Sequence, residues 1–354
     1  MKNRIKVMIV EDSAVVRELL RHIIGGDPRF DIVAAVDSAE EALECLEAVA
    51  PDVITLDIRL PKMNGLDATL QIMARRPTPI VVVSAHVESG ELNIAMNALR
   101  AGALTVVEKP VGVSSNDYDS IADDLRNQLV IMSQVKVVRQ VRRRDLCFGT
   151  GPKIADGAPL AGSARVDPEV VAVVASTGGP NAVSVVLNGL GRDFPRPILV
   201  VQHITPSFSD GFAAWLREVT GMPVSIAKGG EAPRPGHVYL PPADHHLLYR
   251  GGHLRIEGGD PVSSQRPSGT VLFASLAEEL GARALGVLLT GMGGDGAEGL
   301  LAMRRAGAYT LAEDASTAVI FGMPAAAISM GGATEALPLP AIAPRILRLM
   351  GIAP

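Results

Sequence analysis

Short apolar runs alternate with amphipathic segments along most of the chain. In the first part, five runs rich in Val, Ile and Leu have the length of buried strands, and each is followed by apolar residues at helical spacing. The strands are predicted at 7–10, 32–35, 53–56, 80–84 and 104–107, and the helices at 15–24, 40–49, 68–75, 92–101 and 119–130. Five such repeats predict an α/β domain with a doubly wound parallel sheet and helices on both faces.

The same alternation resumes near residue 170. A polar passage rich in Pro and Gly, at 229–267, interrupts it and contains short apolar runs at 237–242 and 253–257. The other strands are predicted at 171–175, 198–203, 224–227, 285–290 and 309–313, and the helices at 182–190, 211–219, 271–280 and 296–306. This pattern predicts a second, mainly parallel α/β domain with a small β-hairpin insertion.

The stretch between the two alternations has a different composition. Residues 149–164 are rich in Gly, Pro, Ala and Ser, which is typical of a flexible connector. The arginines at 142–144 just before it are interpreted as a solvated face, with contact to an acidic partner or to the first domain as the alternative. We therefore predict domains at 1–127 and 167–354, joined by a linker at 128–166.

Bulk composition narrows the class of protein. The 354 residues exceed what one ordinary core organises, in agreement with two domains. Aromatic residues make up 3% and the net charge is −5, so neither stacking on single-stranded nucleic acid nor general attraction to nucleic acid is expected. Two cysteines exclude a disulfide framework. With no apolar run of about 18 residues and no signal peptide, a cytoplasmic protein without membrane insertion is expected.

Charged and hydroxyl side chains follow the strands of the first domain. Because the carboxyl ends of parallel strands meet at one edge of the sheet, we expect these side chains to share a crevice. Carboxylates that converge in this way repel one another unless a hard cation lies between them, and Mg²⁺ prefers such oxygen ligands. A carboxylate beside Mg²⁺, a lysine and a hydroxyl can accept a phosphoryl group. The residues are Glu11, Asp12, Asp57, Ser84 and Lys109.

These motifs, in this order, resemble the response-regulator receiver family, whose domains have a flavodoxin-like (βα)5 fold. The resemblance implies that Asp57 accepts the phosphoryl group and that Glu11 and Asp12 join it in binding Mg²⁺. It also implies that Ser84 and Lys109 contact the phosphate, and that the phosphodonor is a histidine kinase. Members often carry an aromatic residue at the position of Val106, so an aromatic rotamer switch is in doubt. The matching stretches are 10–13, 55–66, 81–85 and 108–110.

The sequence VAVVASTGGP, residues 171–180, predicts a strand, a tight turn and a helix start. Such a turn exposes the hydroxyl of Ser176 beside the free N–H groups and positive end of a helix. A serine nucleophile benefits there because donors are already aimed at a forming oxyanion. A phosphate-binding or merely structural turn fits the stretch equally well.

Two further strand ends carry the partners that a serine nucleophile needs. His203 ends the run ILVVQH, and Asp295 lies in LTGMGGDG. A histidine can take the serine proton, and a buried carboxylate can hold the imidazole in the useful tautomer. The competing interpretation is a dinucleotide site, because Gly291, Gly293 and Gly296 form G-x-G-x-x-G with Asp314 beyond them. That motif explains neither STGGP nor QH, and it normally opens its domain.

The second domain as a whole resembles the catalytic domain of the chemotaxis protein-glutamate methylesterases. The resemblance implies a triad of Ser176, His203 and Asp295 without a cofactor, and glutamate methyl esters of methyl-accepting chemoreceptors as substrates, with glutamines as additional ones. The backbone N–H groups of Thr177 and Met292 are candidate oxyanion donors. The matching motifs are ASTGGP (175–180), VQH (201–203), RPS (266–268), LTGMGGDG (289–296) and FGMP (321–324).

Three alternatives stay open on the sequence. A nucleotide-dependent oxidoreductase would use the glycines at 291–296, and a DNA-binding response regulator would need a basic helix-turn-helix module that we do not find. A methylesterase paralogue that serves a signalling array other than chemotaxis is the third.

Overall fold

A computed structural model describes residues 4–84, 96–99, 101–110, 115–135, 137 and 165–353. The first sheet holds parallel strands in the order β2-β1-β3-β4-β5. The strands are β1 (Ile5–Val10), β2 (Phe30–Val36), β3 (Val53–Asp57), β4 (Ile80–Ser84) and β5 (Thr105–Glu108). The helices are α1 (Ala14–Gly25), α2 (Ala39–Val49), α3 (Gly65–Arg75) and α4 (Ser115–Met132). The predicted doubly wound α/β domain is confirmed.

Side-chain caps explain where the first three helices begin. Ser13, Ser38 and Asn64 precede α1, α2 and α3, and each side-chain oxygen accepts a hydrogen bond from the N–H three residues later. These bonds satisfy donors that the first turn of a helix leaves free.

The second sheet is larger and also parallel, with the order β14-β13-β12-β6-β7-β9-β8. Its strands are β6 (Val170–Ala175), β7 (Ile198–Gln202), β8 (Val224–Ile226), β9 (Val238–Leu240), β12 (Ala284–Leu288), β13 (Tyr309–Glu313) and β14 (Glu335–Leu337). The helices are α5 (Gly179–Leu190), α6 (Ser209–Thr220), α7 (Gly269–Glu279), α8 (Ala297–Arg305), α9 (Met323–Ser329) and α10 (Leu339–Leu349). An antiparallel hairpin of β10 (His246–Arg250) and β11 (His253–Glu257) forms a separate sheet, so the predicted hairpin insertion is confirmed. The apolar run at 237–242, predicted in the same passage, instead forms β9 of the large sheet.

β10, β14, α9 and α10 were not predicted from the sequence. The partner of β11 was missed because HLLYR lacks the alternation of a half-buried strand: four of its five residues are buried. α10 has a strongly amphipathic pattern but contains two prolines, Pro340 in its first turn and Pro344 in its interior, and Pro338 precedes it. Proline normally breaks a helix interior, which hid the apolar periodicity.

Several expectations fall wholly or partly outside the described residues. Of the predicted helix at 92–101, residues 96–99 and 101 are described and are helical. The connector at 149–164 and the arginines at 142–144 lie outside them. α4 continues beyond residue 127 to Met132, because Leu129 and Met132 are buried against the first domain. None of the described helices is long and apolar enough to cross a membrane.

The two domains pack against each other. The indole N–H of Trp215, on α6, donates to Asn97 Oδ1 of the first domain at 3.2 Å. Val319 of the second domain packs against the apolar core of the first, which includes Leu104 and Val107. A hydroxyl of Ser207 also approaches Glu108 at 3.4 Å. The first domain therefore covers the carboxyl edge of the second sheet on the side of Trp215 and Val319.

Candidate active site

Ser176 directly follows β6, in a turn whose shape depends on two glycines. Gly178 has φ +76°, a left-handed conformation that favours glycine, and a Cβ there would lie 2.7 Å from Cβ of Val319. A Cβ on Gly179 would collide with the Gln202 side chain. Pro180 follows in the first turn of α5, where its missing N–H costs nothing. The glycines are therefore explained by close packing around the serine.

The main chain of Ser176 is fixed from both neighbouring strands. Its N–H donates to Thr290 O at 3.0 Å, and its carbonyl accepts from Gln202 Nε2 at 2.7 Å. The same Gln202 amide donates to the carbonyl of His203 at 2.8 Å. One buried side chain thus holds the serine turn and the histidine backbone at a set separation.

His203 and Asp295 form a direct pair. The distance between His203 Nε2 and Asp295 Oδ2 is 2.8 Å, and both side chains are nearly buried. A carboxylate only accepts hydrogen bonds, so Nε2 carries the proton and Nδ1 is the basic nitrogen. His203 Nδ1 is buried and has no hydrogen-bond partner within the described part of the chain. His203 and Ser176 line the same cavity.

Asp295 lies at the amino terminus of α7. Its Oδ1 accepts from Ser268 Oγ at 2.6 Å and from the Thr270 N–H at 3.2 Å, and its Oδ2 accepts from the Gly269 N–H at 2.6 Å. Burial alone would raise the pKa of Asp295, but the hydrogen bond and charge of His203, with the bonds from Ser268 and Gly269, outweigh burial and lower the pKa to about 2. The carboxylate is therefore ionised at neutral pH.

The β-hairpin insertion extends this network. Ser268 Oγ also accepts from the Val271 N–H as the cap of α7, and the Ser268 N–H donates to Nδ1 of His246 on β10 at 3.1 Å. His246 Nε2 lies 3.0 Å from the carbonyl of Asp260, so Nε2 is the protonated nitrogen. A hydrogen-bonded chain therefore runs from the hairpin through Ser268 to Asp295.

The candidate oxyanion donors flank Ser176. Thr177 is the next residue along the chain, and Met292 follows Gly291, on which a Cβ would lie 2.7 Å from the Cβ of Ser176. The backbone hydrogen bonds of the described residues include none donated by the N–H of Thr177 or Met292. Their roles as oxyanion donors stay predictions.

Thr290 hydrogen-bonds to the turn that holds Ser176, and Glu313 in turn binds Thr290. Thr290 Oγ1 donates to the Thr177 carbonyl at 2.9 Å, and the Thr290 N–H donates to Glu313 Oε2 at 2.8 Å. Glu313 is fully buried, which raises the pKa of its carboxyl above the ordinary value. The position of Ser176 thus depends on residues that do not line its cavity.

The cavity around Ser176 and His203 has a volume of about 270 Å³ and is lined by both domains. From the first domain, Thr105 and Val106 of β5 and Gln128 of α4 contribute to its wall. The position where receivers often carry an aromatic residue therefore faces the cavity of Ser176.

The dinucleotide interpretation of 291–296 does not fit the structure. The N–H of Gly291 donates to Ile320 O, and that of Gly296 donates to Thr270 Oγ1 at 2.8 Å. The Asp314 carboxylate accepts from Ser316 within its own loop. These groups are engaged by the protein itself, and the glycines permit close packing against Ser176 and α7.

The acidic residues of the first domain meet as expected. A carboxylate oxygen from each of Glu11, Asp12 and Asp57 lies within 4.8 Å of the others. Lys109 Nζ is 2.8 Å from Asp57 Oδ2 and 2.8 Å from Glu11 Oε2. Ser84 is buried at the end of β4, and its carbonyl accepts from the Lys109 N–H at 2.8 Å.

Burial and charge act in opposite directions on this cluster. Burial and the charge of Asp57 raise the pKa of Glu11, despite its hydrogen bond to Lys109. Burial would lower the pKa of Lys109, but its bonds to Asp57 and Glu11 outweigh that effect and raise it. Three oxygen donors with one ammonium leave an excess of negative charge, and such a donor set suits Mg²⁺.

Sequence reasoning singled out each residue of the Ser-His-Asp set and missed most of its supports. Gln202 and Ser268 lay inside the quoted VQH and RPS motifs without a role. Thr290 likewise lay inside LTGMGGDG without a role. Glu313 and His246 had no signal, because a polar residue at a strand end or in a hairpin does not indicate what it binds.

Comparisons with known proteins assign a family to each of the two domains. Residues 171–346 match the family model for CheB methylesterase, and residues 7–115 match the response regulator receiver domain. The chain is 59% identical over 349 residues to protein-glutamate methylesterase/protein-glutamine glutaminase 2 of Paramagnetospirillum magneticum, covering 98% of this chain and 97% of the relative.

The chain belongs to the CheB methylesterase family. It is therefore an enzyme, a carboxylic ester hydrolase with a receiver domain. A similarly named protein of Syntrophus aciditrophicus is 44% identical, with coverage of 98% of this chain and 99% of the relative. The crystal structure of the Thermotoga maritima CheB methylesterase catalytic domain is 34% identical with a TM-score of 0.50, and covers 52% of this chain and 100% of that one.

Ser268→Ala tests the support of Asp295. The change removes a hydrogen bond to a charged group, which is worth about 1.5–3 kcal/mol, so kcat/KM for ester hydrolysis should fall by roughly 10- to 100-fold. Ser275→Ala is the control, because this buried hydroxyl of the same helix donates to Leu272 O and accepts from the Tyr249 N–H but makes no bond to Asp295. It should leave kcat/KM within about twofold. Equal losses in the two variants would contradict the assignment.

Proposed function

We propose that this enzyme hydrolyses glutamate methyl esters on methyl-accepting chemoreceptors, with Ser176, His203 and Asp295 as its catalytic triad. The observation that carries the proposal is the buried His203–Asp295 pair, whose free Nδ1 shares a cavity with Ser176. The names of the relatives, methylesterase and glutaminase, supply the substrate chemistry.

In the first half of the reaction, His203 Nδ1 takes the Ser176 proton while Oγ attacks the side-chain ester carbonyl of the substrate. Asp295 keeps Nε2 protonated and stabilises the imidazolium. The tetrahedral oxyanion accepts from the N–H groups of Thr177 and Met292. Collapse of the intermediate breaks the carbon–methoxy bond, and His203 returns the proton to the leaving methanol.

In the second half, His203 deprotonates a water that attacks the acyl-enzyme, and Ser176 leaves with the proton. The products are methanol and a free glutamate side chain. The same steps on a glutamine side chain release ammonia, because both substrates carry a carbonyl at the same oxidation level. No cofactor takes part in these steps.

The first domain acts as a phosphorylation-controlled cover. Asp57 accepts a phosphoryl group from a histidine kinase, and Ser84 and Lys109 contact its oxygens. Glu11, Asp12 and Asp57 would hold Mg²⁺, which would neutralise charge on the transferring phosphoryl group. Added charge at Asp57 competes for Lys109 and weakens the packing of the first domain over the cavity of Ser176.

In this proposal the enzyme serves adaptation in chemotaxis from the cytoplasm. Demethylation and deamidation reset the charge of receptor glutamates after a stimulus. A paralogue acting on another signalling array uses the same chemistry and differs in its substrate protein.

Ser176→Ala tests the nucleophile. Methanol release from methylated receptor membranes should fall by at least about 10³-fold, because loss of a triad serine leaves only oxyanion and binding contributions. Ser184→Ala is the matched control and should retain activity, because this buried serine lies in α5, the helix after the turn of Ser176, and its hydroxyl donates to Asn181 O. Wild-type release by the Ser176 variant would exclude the proposed triad.

Asp57→Asn tests the phospho-acceptor. Incubation with Mg²⁺ and a small radiolabelled phosphodonor should label the wild type and leave this variant unlabelled. Asp67→Asn, an exposed carboxylate in the first turn of α3, should be labelled normally. Removal of Mg²⁺ by a chelator should abolish labelling of the wild type; undiminished labelling would show that the acidic cluster works without the metal.

Asn97→Ala tests the cover. The change removes a hydrogen bond between the domains, worth about 0.5–1.5 kcal/mol, and leaves the Trp215 N–H without its acceptor. The packing equilibrium should shift, and methanol release by unphosphorylated protein should rise by about 2- to 12-fold. Asn188→Ala, whose amide donates to Ser184 O in its own helix, should not change it. An unchanged or lower basal rate for Asn97→Ala would contradict the gating.

A further inference from the structure

Exposed apolar side chains are unevenly distributed over the described residues. Among the large hydrophobic side chains, the exposed ones are Val15, Met292, Phe321, Ile328 and Met330, so four of the five fall between 292 and 330. Single exposed apolar residues need no explanation, but a group of them beside a cavity marks a binding surface.

Three of these residues are connected through the backbone next to Ser176. Phe321 forms a β-bridge with Gly291, and a Cβ on Gly322 would lie 3.2 Å from Met292 Cα. Gly291 in turn packs directly against Ser176. Met292 and Phe321 are thus the first exposed side chains beyond the nucleophile.

The third residue extends the surface along α9. Ala326 Cβ lies 3.9 Å from the position of a Cβ on Gly294, and the Met330 N–H donates to Ala326 O, one turn further along the same face. Ile328 lies two residues from both and therefore points to the opposite side of the helix. We call Met292, Phe321 and Met330 the apolar rim.

The apolar rim stays exposed while the first domain packs against the second. With both domains present, the exposed fractions are 52% for Met292, 38% for Phe321 and 42% for Met330. The first domain meets the cavity on the side of Thr177, Gly178 and Pro180. The rim therefore borders the reactive serine on a side that regulation leaves open.

We propose that the apolar rim binds apolar side chains of the substrate protein that lie about one helical turn from the modified glutamate. This inference rests on the proposed function, because it takes the substrate to be a glutamate methyl ester of a protein, and it adds that a helix carries the ester. The rim begins at the residue after Gly291, and one helical turn is about 5.4 Å, so a helix presenting its ester to Ser176 places residues three or four positions away over the rim. Two methionines give a surface that adapts to varied apolar neighbours.

The test compares a large and a small substrate with phosphorylated full-length protein. One substrate is a helical peptide with a γ-methyl glutamate and leucines three and four residues away, and the other is N-acetyl-γ-methyl-glutamate amide. Met330→Ser and Phe321→Ser should each raise KM for the peptide by about tenfold, the factor expected when burial of one such side chain is lost, with kcat unchanged. Turnover of the small ester should stay within about twofold.

Two controls keep the outcomes distinct. Ile328→Ser changes an exposed apolar residue on the opposite face of α9 and should leave both substrates unaffected. A peptide with glutamines in place of the leucines should bind wild type about as weakly as the leucine peptide binds Met330→Ser, and the two losses should not add.

Equal effects of Met330→Ser on peptide and small ester, equal effects of Ile328→Ser and Met330→Ser, or no preference of wild type for the leucine peptide would each overturn the proposal. Failure of the wild type to hydrolyse either substrate would instead overturn the proposed ester hydrolysis, and so the two failures are distinguishable.

Discussion

The buried carboxylate of Asp295 is the group on which the catalytic domain depends most. A charge with so little exposure is tolerated only when it is paired and hydrogen-bonded, and four donors meet it: His203, Ser268 and two N–H groups of α7. The same bonds orient the imidazole and anchor the start of α7. The hairpin joins through His246, which receives the Ser268 N–H. The hairpin insertion therefore takes part, through His246 and Ser268, in orienting the imidazole of His203.

The first domain compensates the charge of its buried carboxylates in a different way. Glu11 and Asp57 each accept one backbone hydrogen bond, from the N–H of Ser13 and of Arg59. Lys109 binds both carboxylates and compensates their charge. In the proposed function, a phosphoryl group at Asp57 changes the charge balance that holds Lys109. Asp295, in contrast, is held by four hydrogen bonds, three of them no longer than 2.8 Å. In the proposed function, the charge at Asp295 therefore stays constant, whereas the charge at Asp57 changes on phosphorylation.

Much of this could be predicted from the sequence, and the failures have physical reasons. Buried parallel strands read as continuous apolar runs, so both sheets and most strand ends were predicted, and the strand ends gave Ser176, His203 and Asp295. α10 was missed because its prolines lie where they do not disturb the buried face. Glu313 and Thr290 were missed because their role is to bind backbone, and any polar residue at a strand end looks the same in sequence. Which face of α9 stays exposed depends on tertiary packing, which a single sequence does not reveal.

Val319 has two neighbours that belong to different functions. It lies over Gly178, where no other residue than glycine leaves it room, and it packs against the core of the first domain. Val319 therefore contacts both the turn that holds Ser176 and the first domain. Selection cannot adjust these properties independently at this position. Variation in the strength of regulation among related enzymes is thus expected at contacts remote from the serine turn, while residue 319 changes only together with the turn beneath it.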